Sequence, residues 1–442
     1  MAPKDVRMAQ NADDHDQASF RAGAFIPAEF FLAPVFTAIM PRLAPFFLFL
    51  IGIALLIAGL RRGLGWREFL TPNPAMIALA AVALYAALSA IWAAEPDDAL
   101  LKPVLMLAAM VTVFAGANSI ASLEPKRLRQ ASIALIAGAL CAALFVTIEF
   151  VTEGALTRTA MNFIPEFRPG SLKQVKIVDG HVTRLNMSEL NQSVAILAFL
   201  LWPGLLALST LQSSRRKLYS LLFFLALAVP IALSEHESSQ IGLIASTLIL
   251  PLAWVRPRAV IRALAVTWCL GFVLVIPLDH LAYKAELHRA EWLPQSAQAR
   301  LIIWDYTAER FAKRPWLGIG ADSTKGAREN AKPPEWPEGF VYPRATGHHA
   351  HNLFLQTLYE LGVVGAILAA IAGAAVILRM ALLPEQAQPY AAAAFTVFAI
   401  IAGLAWGMWQ AWLICAVGLL VLYLLLPAAR YKGPRSSMVS GS

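Results

Sequence analysis

His348, His349 and His351 stand within four positions of one another and are followed at once by Asn352. An imidazole of ordinary pKa, about 6.5, can take a proton at neutral pH, a contribution of roughly 10²–10⁴-fold when it acts as a general base. The same cluster also suits a metal site or a polar collar at a membrane edge. Gln356 follows Asn352 by four positions, which puts both on about one face of a helix, where either could orient a sugar or an imidazole. Glu360 comes nine residues after His351, roughly 13 Å along a helix. A carboxylate in apolar surroundings is costly, so Glu360 is expected to be functional or paired.

These residues must be carried by membrane helices. Of 442 residues, 58% are hydrophobic and only 14% charged, against roughly 25% charged in a soluble domain. A soluble enzyme, a disordered chain and a fibrous repeat are thereby excluded. Cys141, Cys269 and Cys415 all lie in apolar runs, with neither a disulfide framework nor a metal-binding spacing. Twelve spans are expected, near 25–41, 43–60, 74–94, 99–121, 131–151, 189–210, 218–233, 238–255, 259–278, 352–378, 389–406 and 409–428. Residues 1–24 are polar, with no cleavable signal, and read as a tail. Residues 429–442 form a second tail.

The surplus of 36 Lys and Arg over 28 Asp and Glu is first a topology signal. Arg61, Arg62 and Arg67 follow the second span. Lys126, Arg127 and Arg129 follow the fourth, and Arg215, Arg216 and Lys217 the sixth. The loops between bear Glu95, Asp97 and Asp98, or Glu235 and Glu237. Both termini are therefore expected in the cytoplasm. The long segments 152–188 and 279–351 then fall on the outer side, together with seven of the eight histidines. Asp97 and Asp98 read as a solvated loop. No Gly-rich phosphate loop, internal repeat or inverted pair of broken helices is expected.

The run from His351-Asn352 through nine residues to Gly362 and Gly365 resembles the signature of the O-antigen ligase and polymerase superfamily. Arg300, Trp304, Phe311 and the stretch Pro315-Trp316-Leu317-Gly318-Ile319-Gly320 resemble its outer-loop motif. Arg184-Leu185-Asn186 with Asn191-Gln192 resembles its Arg…Asn motif, and Trp92, Glu95, Pro96 and Asp97 a shorter shared stretch. The likeness covers roughly residues 75–425. One departure is Ser238-Ser239-Gln240, where the family often has Ser-Arg-Gly, so no cation is available there.

The resemblance implies an all-α, GT-C-like glycosyltransferase of about twelve transmembrane helices. Its ligase domain would occupy 25–428, in a bacterial inner membrane, with the active site facing the periplasm. It implies transfer of a polysaccharide from undecaprenyl diphosphate to lipid A-core, inverting and without metal or cofactor. The lipid bilayer is the surrounding partner, and nucleic acid is not one. Such a donor requires cations at the outer interface, because negative charge grows on the diphosphate as the glycosyl bond breaks. Arg184 and Arg300 are expected on the diphosphate. His351 is expected as the base with His349 as the alternative, and Asn352, Gln356 and Glu360 as substrate-side groups. Gly362 and Gly365 are expected to allow close helix contact. An O-antigen polymerase or a protein-O-oligosaccharyltransferase is the nearest alternative, and a polysaccharide transporter the alternative of another class.

Overall fold

The computed structural model describes residues 25–69, 71–164, 175–325 and 349–431. His348, Trp336, most of residues 1–24 and 429–442, and the middle of the second long segment lie outside the described residues.

Fifteen α-helices form in the described residues. They are α1 (Ile26–Ile39), α2 (Ala44–Arg61), the single turn α3 (Trp66–Phe69), α4 (Pro74–Leu88), α5 (Pro96–Ser122), α6 (Pro125–Val151), α7 (Ala155–Phe163), α8 (Asn191–Ser209), α9 (Arg216–Leu233), α10 (Glu237–Val255), α11 (Pro257–Lys284), α12 (Gln295–Phe311), α13 (Leu353–Arg379), α14 (Gln388–Leu404) and α15 (Ala411–Ala428). Several begin on proline, whose missing N–H costs nothing in the first turn. One antiparallel ribbon, β1 (Val175–Val178) with β2 (His181–Leu185), stands in the first long segment.

Among the described residues, ten helices are long and apolar enough to cross a membrane. The spans expected at 25–41 and 389–406 form α1 and α14, apolar helices of 14 and 17 residues. Both fall short of the roughly 20 residues that a full crossing needs. For α14 the reason is visible in the chain: helix ends at Leu404, and residues 405–410 leave it to build a loop.

The central helix is α8, with 89% of its apolar window buried, against 28% for α9, α10 and α11. It packs against α6, α9, α14 and α15. The outer helices turn large apolar side chains such as Leu144, Leu221, Leu248, Val266 and Ile367 outward, as a lipid-facing surface requires. α10 lies along α14, and α11 along α13. These two pairs carry the residues described next.

Candidate active site

α13 is broken. Gly362 has φ +66° and ψ −171° inside an otherwise helical run, so a broken helix is present where the sequence suggested none. The break leaves backbone groups that cannot be satisfied by lipid. Residues 315–320 supply the partners. Val363 N–H donates to Pro315 O at 2.8 Å and Val364 N–H to Trp316 O at 3.3 Å. Ile319 N–H reaches Tyr359 O at 3.2 Å, and Gly320 N–H reaches Glu360 O at 2.8 Å. The Tyr85 hydroxyl donates to Leu361 O at 3.1 Å. A Cβ on Gly362 would lie 2.2 Å from Trp316 O, and one on Gly318 2.3 Å from Glu360 O. Gly362 thus admits a loop rather than a neighbouring helix, and a Cβ on Gly365 would meet Leu361 of its own helix.

The Glu360 carboxylate is fully buried and joins three segments. Its Oε1 accepts from Thr324 N–H at 3.2 Å, the Thr324 hydroxyl at 2.6 Å and the Gln356 amide at 3.1 Å. Its Oε2 accepts from Asp322 N–H at 3.0 Å and from the Trp409 indole N–H. The Gln356 carbonyl in turn accepts from Met408 N–H at 3.2 Å. Asp322 is itself buried, which pushes its pKa up, while the ion pair with Lys325 at 2.7 Å opposes that rise.

The histidines sit one step outward, on the turn entering α13. Asn352 caps this helix, its Oδ1 accepting from Leu355 N–H at 3.1 Å. His351 has φ +52°, a left-handed conformation uncommon outside glycine. Its ring lies 4.0 Å from that of His349, centroid to centroid. His351 Nδ1 is bonded to Ala405 O. A carbonyl can only accept, so Nδ1 carries the hydrogen and the neutral ring's lone pair is on Nε2. The two nitrogens of His349 both face protein donors. His351 N–H lies 3.3 Å from its Nδ1, and the Gln410 amide nitrogen 3.2 Å from its Nε2. A neutral ring has one lone pair, and protein donors already claim it.

Arg300 is half-buried on α12, and one turn later Trp304 donates its indole N–H to Ala350 O at 2.8 Å. That bond docks α12 on the histidine turn. Arg300 also approaches His236, which is 2% exposed. Burial first, and the Arg300 charge second, hold the His236 pKa down to about 3. Arg184 stands apart, exposed on β2 opposite Lys176, and among the described residues no hydrogen bond or ion pair links it to the cluster. His349, His351, Asn352, Gln356, Glu360 and Arg300 are therefore brought together, and Arg184 is not. Asn352, Gln356 and Glu360 are buried and bonded within the protein, so they build the frame of the site.

The segment 405–410 went unseen in the sequence. It supplies the Ala405 carbonyl to His351, Met408 N–H to Gln356, the Trp409 indole to Glu360 and the Gln410 amide to His349. Gly407 lets it approach, since a Cβ there would lie 2.8 Å from the His349 side chain. The only signal was Trp406-Gly407-Met408-Trp409-Gln410 interrupting an apolar run.

Residues 221–370 match the family model described as O-antigen ligase. Over this segment the chain is similar to that family. The matched segment runs from α9 into α13 and so contains His236, Arg300, His349, His351, Gln356 and Glu360. Arg184 and residues 405–410 lie outside it. A candidate polysaccharide ligase of Rickettsia felis is 26% identical over 52% of this chain and 50% of its own. Another, of Rickettsia conorii, is 25% identical over 62% of this chain and 64% of its own. The chain thus spans about half of one relative and under two thirds of the other. No solved structure matches it.

Proposed function

We propose that this protein transfers a preassembled polysaccharide from undecaprenyl diphosphate to a sugar hydroxyl of lipid A-core, at the periplasmic face of the inner membrane. The observation that carries this reading is the bond from His351 to Ala405 O, which directs the ring's lone pair to Nε2, on a turn to which Trp304 docks the helix that carries Arg300. In the reaction, the acceptor oxygen attacks the anomeric carbon of the donor while its proton passes to His351 Nε2. The carbon–oxygen bond to the diphosphate breaks, and the diphosphate departs with the bonding electrons. Arg300 neutralises the charge that grows on it, an interaction stronger in the transition state than in the ground state. One displacement inverts the anomeric carbon. Arg184, exposed on the β1–β2 ribbon, meets the diphosphate as the donor arrives.

The alternative of a transporter would draw on the break in α13, since broken helices line transport sites. Here the 315–320 backbone bonds the groups on both sides of that break, so its carbonyls at Tyr359 and Glu360 are already taken by protein N–H groups. Transfer is the reading this supports. The test is His351→Ala in cells lacking the native gene. The variant should reach the membrane at normal levels yet yield lipid A-core without polysaccharide. A wild-type ladder would refute the assignment.

A further inference from the structure

His236 has no part in the chemistry above, yet it is more buried than any other residue of the cluster except Glu360, Gln356 and the small groups around them. It caps the start of α10, where its carbonyl accepts from Ser239 N–H at 2.9 Å and Gln240 N–H at 3.2 Å. The Gln240 amide reaches back to Ser234 O at 2.7 Å and Ala232 O at 3.0 Å, tying α10 to the end of α9. The ring is held by Ser239 Oγ, 2.7 Å from Nδ1. Its face lies on the Trp406 indole, with centroids 4.6 Å apart and planes 28° from parallel. Among the described residues, Nε2 is buried without a hydrogen-bond partner. Such an atom costs about 1–3 kcal/mol, so stability does not account for the residue.

What the ring touches is the base of the 405–410 segment. Trp406 follows Ala405, whose carbonyl holds His351. Trp406 also meets Trp412 edge to face at 4.8 Å. Trp412 donates to Gln410 Oε1 at 2.6 Å, and the Gln410 amide nitrogen lies 3.2 Å from His349 Nε2. A single rigid path therefore runs from the start of α10 to both histidines. We infer that His236 is a positioning residue: its ring clamps Trp406 and so fixes the Ala405 carbonyl that sets the tautomer of His351. Its low pKa agrees with this role, because a ring that stays neutral does not compete for the acceptor's proton and does not repel Arg300. The inference rests on the reading that His351 takes the proton, and one arm of the test does not depend on activity.

The test uses the full chain in lipid nanodiscs, as wild type, His236→Ala, His236→Phe, Trp406→Ala and the double variant His236→Ala/Trp406→Ala. Misplacing a reacting group costs about 10- to 100-fold. His236→Ala should therefore lose about that much kcat, with KM for donor and acceptor within about two-fold. Trp406→Ala should match it, and the double variant should be no worse than either single one. His236→Phe keeps the stack and should keep most of kcat. Solid-state ¹⁵N NMR of the His351 ring should show Nδ1–H alone in wild type and His236→Phe, and both tautomers in His236→Ala. The inference is overturned if His236→Ala keeps wild-type kcat, if the two losses multiply, or if His351 stays Nδ1–H in every variant. Should His236→Ala fail to fold, His236→Phe and Trp406→Ala decide the matter by the same readouts. A wild-type protein that transfers no glycan would overturn the transfer reading alone, since the tautomer measurement still judges His236.

Discussion

Glu360→Gln changes one atom of the frame and leaves its shape. Both carboxylate oxygens face only donors, three at Oε1 and two at Oε2. A glutamine must turn its NH₂ toward one set. The less costly choice puts nitrogen at the Oε2 position, where Asp322 N–H and the Trp409 indole N–H lose their acceptor. Each buried donor left unsatisfied costs about 1–3 kcal/mol, so the substitution should cost about 2–6 kcal/mol. The loss falls on the joints between α13 and the segments 321–325 and 405–410, not on α13 itself. The assay is thermal unfolding of the purified protein in detergent, followed by transfer measured below the melting point. The apparent Tm should fall by several degrees, and transfer should fall with it because Ala405 and His351 share the loosened segment. Glu360→Ala should be worse, since all five donors lose their acceptor. A Glu360→Gln protein with wild-type Tm and wild-type transfer would refute the frame described here.

Three further outcomes follow from the same contacts. Gly362→Ala places a Cβ 2.2 Å from Trp316 O at φ +66°, a clash of backbone with side chain at a strained conformation. It should destabilise by about 3 kcal/mol or more, and normal yield and Tm would contradict the close approach. Arg300→Gln should lower kcat, whereas Arg184→Gln should raise the donor KM with kcat little changed, as steady-state kinetics would show. Equal effects of both on kcat would contradict the separate roles. His236 titrates in the unfolded chain near pH 6.5 but in the folded chain near 3. The unfolded chain therefore binds a proton that the folded one refuses, and stability present above pH 6.5 is lost as pH falls toward 3. Between pH 6.5 and pH 4 that loss approaches about 3 kcal/mol. His236→Phe should lack it, and a Tm difference between variant and wild type that does not change with pH would show that the ring is not held neutral.

The twelve apolar runs were legible because each is a single stretch of one composition, and all twelve form helices. Hydropathy showed only that residues 406–410 interrupt an apolar run, not that 405–410 leave α14 to bond His351, Gln356 and Glu360. The histidine turn was legible from residue type and spacing. Glu360 announced itself as a buried carboxylate needing partners, but its partners Thr324 and Trp409 lie 36 and 49 positions away. A glycine in an apolar run ordinarily signals helix contact, so the break at Gly362 was hidden. It shows only once residues 315–320 are seen lying against it. The His236–Trp406 stack was beyond reach for the same reason: periodicity reports neighbours on one helix, and these two residues meet through tertiary packing alone.

The central claim is a glycosyl transfer in which His351 takes the acceptor's proton. Its most direct test is purified protein in nanodiscs, supplied with polysaccharide on undecaprenyl diphosphate and with lipid A-core, with and without EDTA. Mass spectrometry would follow both lipids, and NMR the new anomeric linkage. The account predicts glycosylated lipid A-core with an inverted linkage and an equal amount of released undecaprenyl diphosphate. It predicts the same rate in EDTA and no product from His351→Ala. Retention at the anomeric carbon, growth of the donor in place of the acceptor, or product from His351→Ala at the wild-type rate would contradict it.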